Sequence, residues 1–130
     1  MKVIVIGGTG HVGRFMVPKL FETGMETVVV GSGSTPMPKG GVWEKVQYLA
    51  CDVGNSQELK KLFHQRPEVV IDMAGGIWNI YHELKTVTKH FIACGSLWMY
   101  GEPKVVPTTE QTKMSAYLMT TKNGTLKYWS

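Results

Sequence analysis

Apolar positions along this chain recur with two periods, one suited to buried strands and one to helices. Val3, Ile4, Val5 and Ile6 form an unbroken β-branched run, the pattern of a strand covered on both faces. It breaks at once into Gly7, Gly8, Gly10 and Gly13. Val12, Phe15, Met16, Leu20 and Phe21 then follow at helical spacing, with Gly24 as a stop and Pro18 as the place for a kink. Residues 27–30 read as a second strand, and the Gly-, Ser- and Pro-rich stretch 32–41 as a loop. A third strand spans 46–51. Asn55 or Ser56 caps a helix whose Leu59, Leu62 and Phe63 face the sheet, and Pro67 closes it. Residues 69–73 give a fourth strand, Trp78, Ile80, Tyr81, Leu84 and Val87 a third helical stripe, and 90–94 a fifth strand. Strand and helix alternate throughout, which predicts a parallel sheet covered on both faces.

The glycines after the first strand have separable tasks. Gly7 permits the sharp turn out of the strand. Gly10 removes a Cβ where backbone N–H groups would cradle a diphosphate at the positive end of the next helix. Gly13 lets that helix approach the sheet. The spacing is G-x-x-G-x-x-G, and its place between a strand and an amphipathic segment is the context such a loop requires. A turn serving backbone geometry alone is the competing reading.

Three further segments lie at strand ends. Asp52 is followed by Val53 and serves either a ligand or an Asx turn. At 30–34 the chain reads Val-Gly-Ser-Gly-Ser, with neither an acid for a ribose 2′-hydroxyl nor a base for a 2′-phosphate. Ser32, Ser34 and Lys39 are candidate phosphate donors there, and a plain loop is the alternative. Ala74, Gly75 and Gly76 leave room for a ligand or simply for a tight turn.

At 130 residues the length fits one domain. The formal charge of +4 comes from scattered residues with Lys60 and Lys61 the only adjacent basic pair, so no nucleic-acid stripe is expected. Cys51 and Cys94 end separate apolar runs and read as buried free thiols of a reducing compartment. With no apolar stretch of membrane-spanning length and no signal-peptide pattern, a cytoplasmic protein without a membrane partner is expected. No metal site is expected.

These motifs resemble the short-chain dehydrogenase/reductase superfamily, and within it the extended and atypical NAD(P)-dependent epimerase/dehydratase group, from Lys2 to about Glu110. The resemblance implies a Rossmann-like, doubly wound α/β fold of about five mostly parallel strands in the order 3-2-1-4-5. It implies NAD(P) as cofactor, with a lean to NADP from the 30–34 segment. Gly7, Thr9, Gly10, His11, Val12 and Gly13 would surround the diphosphate, Ser32 the adenine-side ribose, Asp52 and Val53 the adenine, and Ala74, Gly75 and Gly76 the nicotinamide side. The segment from Cys94 to Gly101 resembles the family's serine segment ending in Tyr-Gly, so Ser96 stands where the catalytic serine would hydrogen-bond a substrate oxygen. Val106, Pro107 and Glu110 resemble the residues that follow.

The family's Y-x-x-x-K is not matched. Tyr117 is followed four places later by Thr121, and Lys122 comes one place late, a turn of about 100° around a helix. Tyr81 and Lys85 have the spacing but precede Ser96. The expected organisation is an NAD(P)-binding domain over 1–113 and a divergent tail over 114–130, in which Asn123-Gly124 marks a turn. The chain is short for the family, whose later strands and substrate domain are missing from it. Two function classes follow: an epimerase, dehydratase or reductase acting on a sugar nucleotide or similar small molecule, and a non-catalytic dinucleotide-binding sensor or interaction module lacking the Tyr-Lys pair. A fifth strand left as a sheet edge would recruit a partner, and the apolar stripe from Trp78 to Val87 lies on the helix through which the resemblance implies dimerisation, so a homo-oligomer is expected.

Overall fold

The run Val3 to Ile6 lies in the central strand, β1 (Lys2–Ile6), where each of these four side chains is at most 1% exposed. In the computed structural model, β1 pairs in parallel with β2 (Glu26–Gly31) on one side and β4 (Val69–Asp72) on the other. Beyond them lie β3 (Gln47–Ala50) and β5 (His90–Ala93), also parallel, giving the order β3-β2-β1-β4-β5. The order is the one expected from the sequence. The structure describes residues 1–75, 77–95, 106–107, 109, 111–112, 119–120 and 126–127.

Side-chain alternation divides the apolar residues into two layers. On one face Ile4, Ile6, Val28, Val30 and Val70 pack with Leu59 and Leu62 of α2 (Ser56–His64) and with Ile80 and Leu84 of α3 (Ile77–Leu84). On the other, Val3, Val5, Val29 and Ile71 pack with Val17 of α1 (Gly13–Glu22). A sheet covered this way is doubly wound, and continuous apolar strands are its sequence signature.

Local signals set the helix ends. Asn55 caps α2, its side-chain oxygen accepting from the Gln57 N–H at 2.9 Å. Arg66 leaves the helix with φ +46° just before Pro67. Helix α1 runs unbroken through Pro18 and has no side-chain cap at its start.

Several expectations change in detail. Val12 and Phe15 are 56% and 71% exposed, and the buried row of α1 is Gly13 with Val17. The close approach at Gly13 turns the neighbouring large side chains away from the sheet. In α3 the buried row is Ile80 with Leu84, one helical turn apart, while Trp78 and Tyr81 are exposed. Tyr81 packs edge-on against Phe91 of β5, with centroids 5.5 Å apart. Cys51 is buried as expected but Cys94 is exposed. The loop after β2 closes in a short 3-10 turn at Gly41–Glu44.

The chain divides into two compact units, Met1–Cys94 and Gly95–Ser130. In the second, β6 (Met119–Thr120) pairs antiparallel with β7 (Leu126–Lys127). The expected turn at Asn123-Gly124 lies outside the described residues. Among the described residues no helix is long and apolar enough to cross a membrane.

Candidate dinucleotide site

The first unit carries a cleft of about 250 Å³ at the carboxyl ends of its central strands. Its floor begins where β1 gives way to the glycine loop. Gly7 takes φ +76°, a backbone conformation natural to glycine, and its N–H donates to the Val30 carbonyl at 2.8 Å. The loop therefore stays tied to β2 as it turns. The Gly10 N–H donates to the Gly7 carbonyl at 3.0 Å, and the Arg14 N–H to the Gly10 carbonyl at 3.0 Å.

Gly8 and Gly13 set how closely α1 meets this loop. A Cβ on Gly13 would lie 2.5 Å from Gly8 Cα and from the Gly8 carbonyl oxygen. One on Gly8 would meet Val29 at 3.0 Å and Val17 at 3.2 Å. At Gly10 a Cβ would stand 3.1 Å from the Gly7 carbonyl oxygen, a tight contact with backbone, and would meet nothing else within 4 Å. The N–H groups of Thr9, His11, Val12 and Gly13 donate to no described residue. Since α1 has no side-chain cap, these donors at its positive end are left for an acceptor, and a diphosphate fits that need.

The second wall comes from β2 and the loop after it. Gly31, Ser32, Ser34 and Thr35 line it, and the Ser32 and Ser34 hydroxyls lie 2.6 Å apart. A Cβ on Gly31 would be 3.1 Å from the Tyr48 hydroxyl, a contact relieved only if that side chain gives by a few tenths of an ångström. The third wall follows β3. Asp52 Oδ1 accepts from the Gly54 N–H at 2.9 Å, so the Asx turn foreseen as one reading of Asp52 is formed. The Asp52 N–H donates to Glu58 Oε2 at 2.7 Å, anchoring this corner to the first turn of α2. Beside it Cys51 is buried, and burial pushes its thiol above the usual range; the Glu58 and Asp52 charges add to this while Lys61 opposes them. It lines the cleft as an apolar wall.

Met73 and Ala74 close the cleft from β4. Asp72, at the end of that strand, is fully buried. Its Oδ1 accepts from the Ala74 N–H at 2.8 Å, and its Oδ2 has no partner among the described residues. Burial raises the carboxyl above its ordinary range, with hydrogen bonds from the Ala74 and Gly75 backbone opposing that shift.

Of the cofactor-binding residues read from the sequence, Gly7, Thr9, Gly10, Ser32, Asp52, Val53 and Ala74 surround this one cleft. Gly13 lies behind it against Gly8, His11 and Val12 are exposed at the start of α1, and Gly75 follows Ala74 with φ +79°. Gly76, Ser96, Tyr117 and Lys122 lie outside the described residues. The sequence reading passed over Ile6, Gly31, Thr35, Cys51 and Met73 in this cleft. Ile6, Cys51 and Met73 end predicted strands and Gly31 follows one, and that position at a carboxyl end is the signal that could have marked them.

The chain is 25% identical over 146 aligned residues to UDP-glucose 4-epimerase 3 of Oryza sativa subsp. japonica, the match covering 88% of this chain and 39% of that protein. The epimerase Mth375 of Methanothermobacter thermautotrophicus superposes with a TM-score of 0.76 at 22% identity, over 90% of this chain and 41% of that one. The Bordetella bronchiseptica enzyme WbmG, solved in complex with NAD and UDP, superposes with a TM-score of 0.75 at 17% identity, over 88% of this chain and 44% of that one. The chain thus spans well under half the length of these proteins. The sequence model of the NAD dependent epimerase/dehydratase family matches residues 3–123, and the chain belongs to that family.

Proposed function

We propose that this chain is the NAD(P)-binding part of an epimerase, dehydratase or reductase that acts on a sugar nucleotide or a similar small molecule. The observation that carries the reading is the set of undonated N–H groups at the start of α1, next to Gly10 in the cleft. Such a surface suits an anion, a diphosphate among them. Asp52 keeps Oδ2 for the adenine amino group while Oδ1 holds the Gly54 turn. Ala74 and Gly75, small residues at the end of β4, allow the nicotinamide half to approach the backbone. When bound, NAD(P) supplies a hydride acceptor and donor. The chain's own residues orient it, and Ser96 hydrogen-bonds the substrate oxygen. The names of the relatives support a sugar nucleotide as that substrate.

The segment after β2 supports NADP over NAD, because residues 30–34 include no acid to accept a ribose 2′-hydroxyl. A non-catalytic dinucleotide-binding sensor is the second reading, favoured by Lys122 standing five rather than four places after Tyr117. Hydride exchange with a sugar nucleotide decides for the enzyme. Exposed Trp78 and Tyr81 on α3 support a homo-oligomer; a sedimentation coefficient that stays monomeric at every concentration overturns that part.

The test of the main reading is calorimetric titration of the chain with NAD⁺, NADH, NADP⁺ and NADPH, repeated on Gly10→Asp. Saturable binding that the substitution abolishes is expected, because a carboxylate would sit where the diphosphate must lie. If none of the four binds, the reading is wrong.

A further inference from the structure

Asp72 is a fully buried acid set directly before the residues of β4 that wall the dinucleotide cleft. It pairs in register with Ile6 of β1 on one side and Ala93 of β5 on the other. Ile6, Met73 and Ala74, its neighbours across the sheet and along the chain, all line the cleft. Strand alternation puts its side chain on the face of Ile6 and Val70, in the apolar layer that α2 and α3 cover. Oδ1 accepts from the Ala74 N–H at 2.8 Å and so holds the turn that forms the wall. Oδ2 has no partner among the described residues.

Holding the turn does not by itself call for an acid. Asn would offer the Ala74 N–H the same acceptor without a group that ionises. A carboxylate taken out of water with no cation beside it is costly, and the elements packed around Asp72 bring it none. Their titratable groups include Lys2 on β1, Glu58 on α2, His82 and Glu83 on α3 and His90 on β5, with Cys51 in the same layer. None of these shifts Asp72: burial raises its carboxyl, and only the Ala74 and Gly75 backbone opposes the rise. The positive charge that would complete this site must come from a ligand.

We infer that Asp72 makes the site selective for the oxidised cofactor, its buried carboxylate attracting the nicotinamide ring across the Ala74 wall only while that ring is cationic. This rests on the dinucleotide reading above, which brings the nicotinamide half against Ala74 and Gly75, and adds to it the redox form that the site favours. The oxidised ring bears one positive charge and the reduced ring none, while the diphosphate is the same in both. A buried anion behind the wall therefore acts on one form. Its surroundings are apolar, so the attraction is screened less than between surface charges. The coupling is reciprocal: a cationic ring favours the ionised carboxyl, and binding of the oxidised cofactor passes the Asp72 proton to solvent. The reduced cofactor releases no proton from Asp72.

The test is calorimetric titration of the chain and of Asp72→Asn with NAD⁺, NADP⁺ and ADP-ribose, which lacks the ring, over about pH 5 to 8, above the ordinary Asp range. NADH and NADPH are added at the upper end of that span. Affinity for the oxidised cofactor is expected to rise with pH while Asp72 titrates, by at most about 10-fold per pH unit beyond any rise seen with ADP-ribose. Asp72→Asn keeps the acceptor for Ala74 and should lose roughly 10-fold in affinity for the oxidised cofactor near pH 8, with the reduced forms and ADP-ribose unchanged. Repeating the wild-type titrations in two buffers of different ionisation enthalpy counts protons without need of the variant, and more should leave with the oxidised cofactor than with ADP-ribose. Equal proton release by these ligands, or equal losses for oxidised and reduced forms in Asp72→Asn, overturns the inference and leaves the dinucleotide reading standing. If no dinucleotide binds, both fall.

Discussion

Gly8 and Gly13 touch backbone to backbone: a Cβ on Gly13 would stand 2.5 Å from Gly8 Cα and 2.6 Å from the Gly8 carbonyl carbon. A flexible side chain could yield to such a contact, but a packed backbone cannot. The pair fixes the distance between α1 and the sheet, and with it the position of the donor groups at the start of α1. Gly13→Ala is therefore expected to destabilise the chain by about 1–3 kcal/mol, the range for overpacking a close contact. It should also weaken NAD(P) binding by displacing the start of α1. Denaturant unfolding and calorimetry read the two effects separately.

Asp72 and Glu68, at opposite ends of β4, give opposite pH dependences. Burial raises the Asp72 carboxyl, so the folded chain holds that proton more tightly than the unfolded chain does. Its contribution falls as pH rises from the ordinary Asp range through the raised folded value, by at most about 1.4 kcal/mol per pH unit. Glu68 is lowered, first by the hydrogen bond from Lys89 and then by the Lys89 charge. Its contribution is present above the ordinary Glu range and is lost as pH falls through the lowered folded value. Unfolding measured from about pH 2 to 8 should show that Asp72→Asn removes the decline toward neutral pH, and that Glu68→Gln removes a loss on acidification below the ordinary Glu range.

Asn55 provides the side-chain cap of α2 through Gln57. Asn55→Ala is expected to cost about 1 kcal/mol of stability, and Asn55→Asp to cost little, since it keeps the acceptor and suits the helix dipole. Thermal unfolding of the two variants checks the contrast.

The Asp52 corner links fold to ligand. Glu58→Ala removes the acceptor for the Asp52 N–H and should weaken binding of adenine-bearing ligands while leaving α2 helical. Asp52→Ala removes the side chain itself and should weaken it further. Comparing ADP with ribose 5-phosphate in both variants identifies an adenine-specific loss.

Leu62 has no exposed surface and packs in the layer under α2 and α3. Leu62→Ala should cost about 2–5 kcal/mol, read by denaturant unfolding, with a cavity remaining between α2 and the sheet.

The sequence by itself determined the alternation of strand and helix, the central strand and the glycine loop that follows it. Buried parallel strands must be continuously apolar, and such a loop must follow the strand that delivers it, so Val3 to Ile6 and Gly7 were legible. The strand order and the places of Asp52 and Ala74 came from the resemblance to the family, not from the pattern of apolar residues. The helix faces were decided only by tertiary packing. Val12 and Phe15 have the spacing of core residues, yet the contact of Gly13 with Gly8 rolls α1 so that Val17 enters the core and they do not. Trp78 and Tyr81 are likewise apolar by type, and it is Ile80 and Leu84 that meet the sheet. Periodicity shows that a helix has an apolar side, but which row of that side touches the sheet is settled by the closest backbone approach.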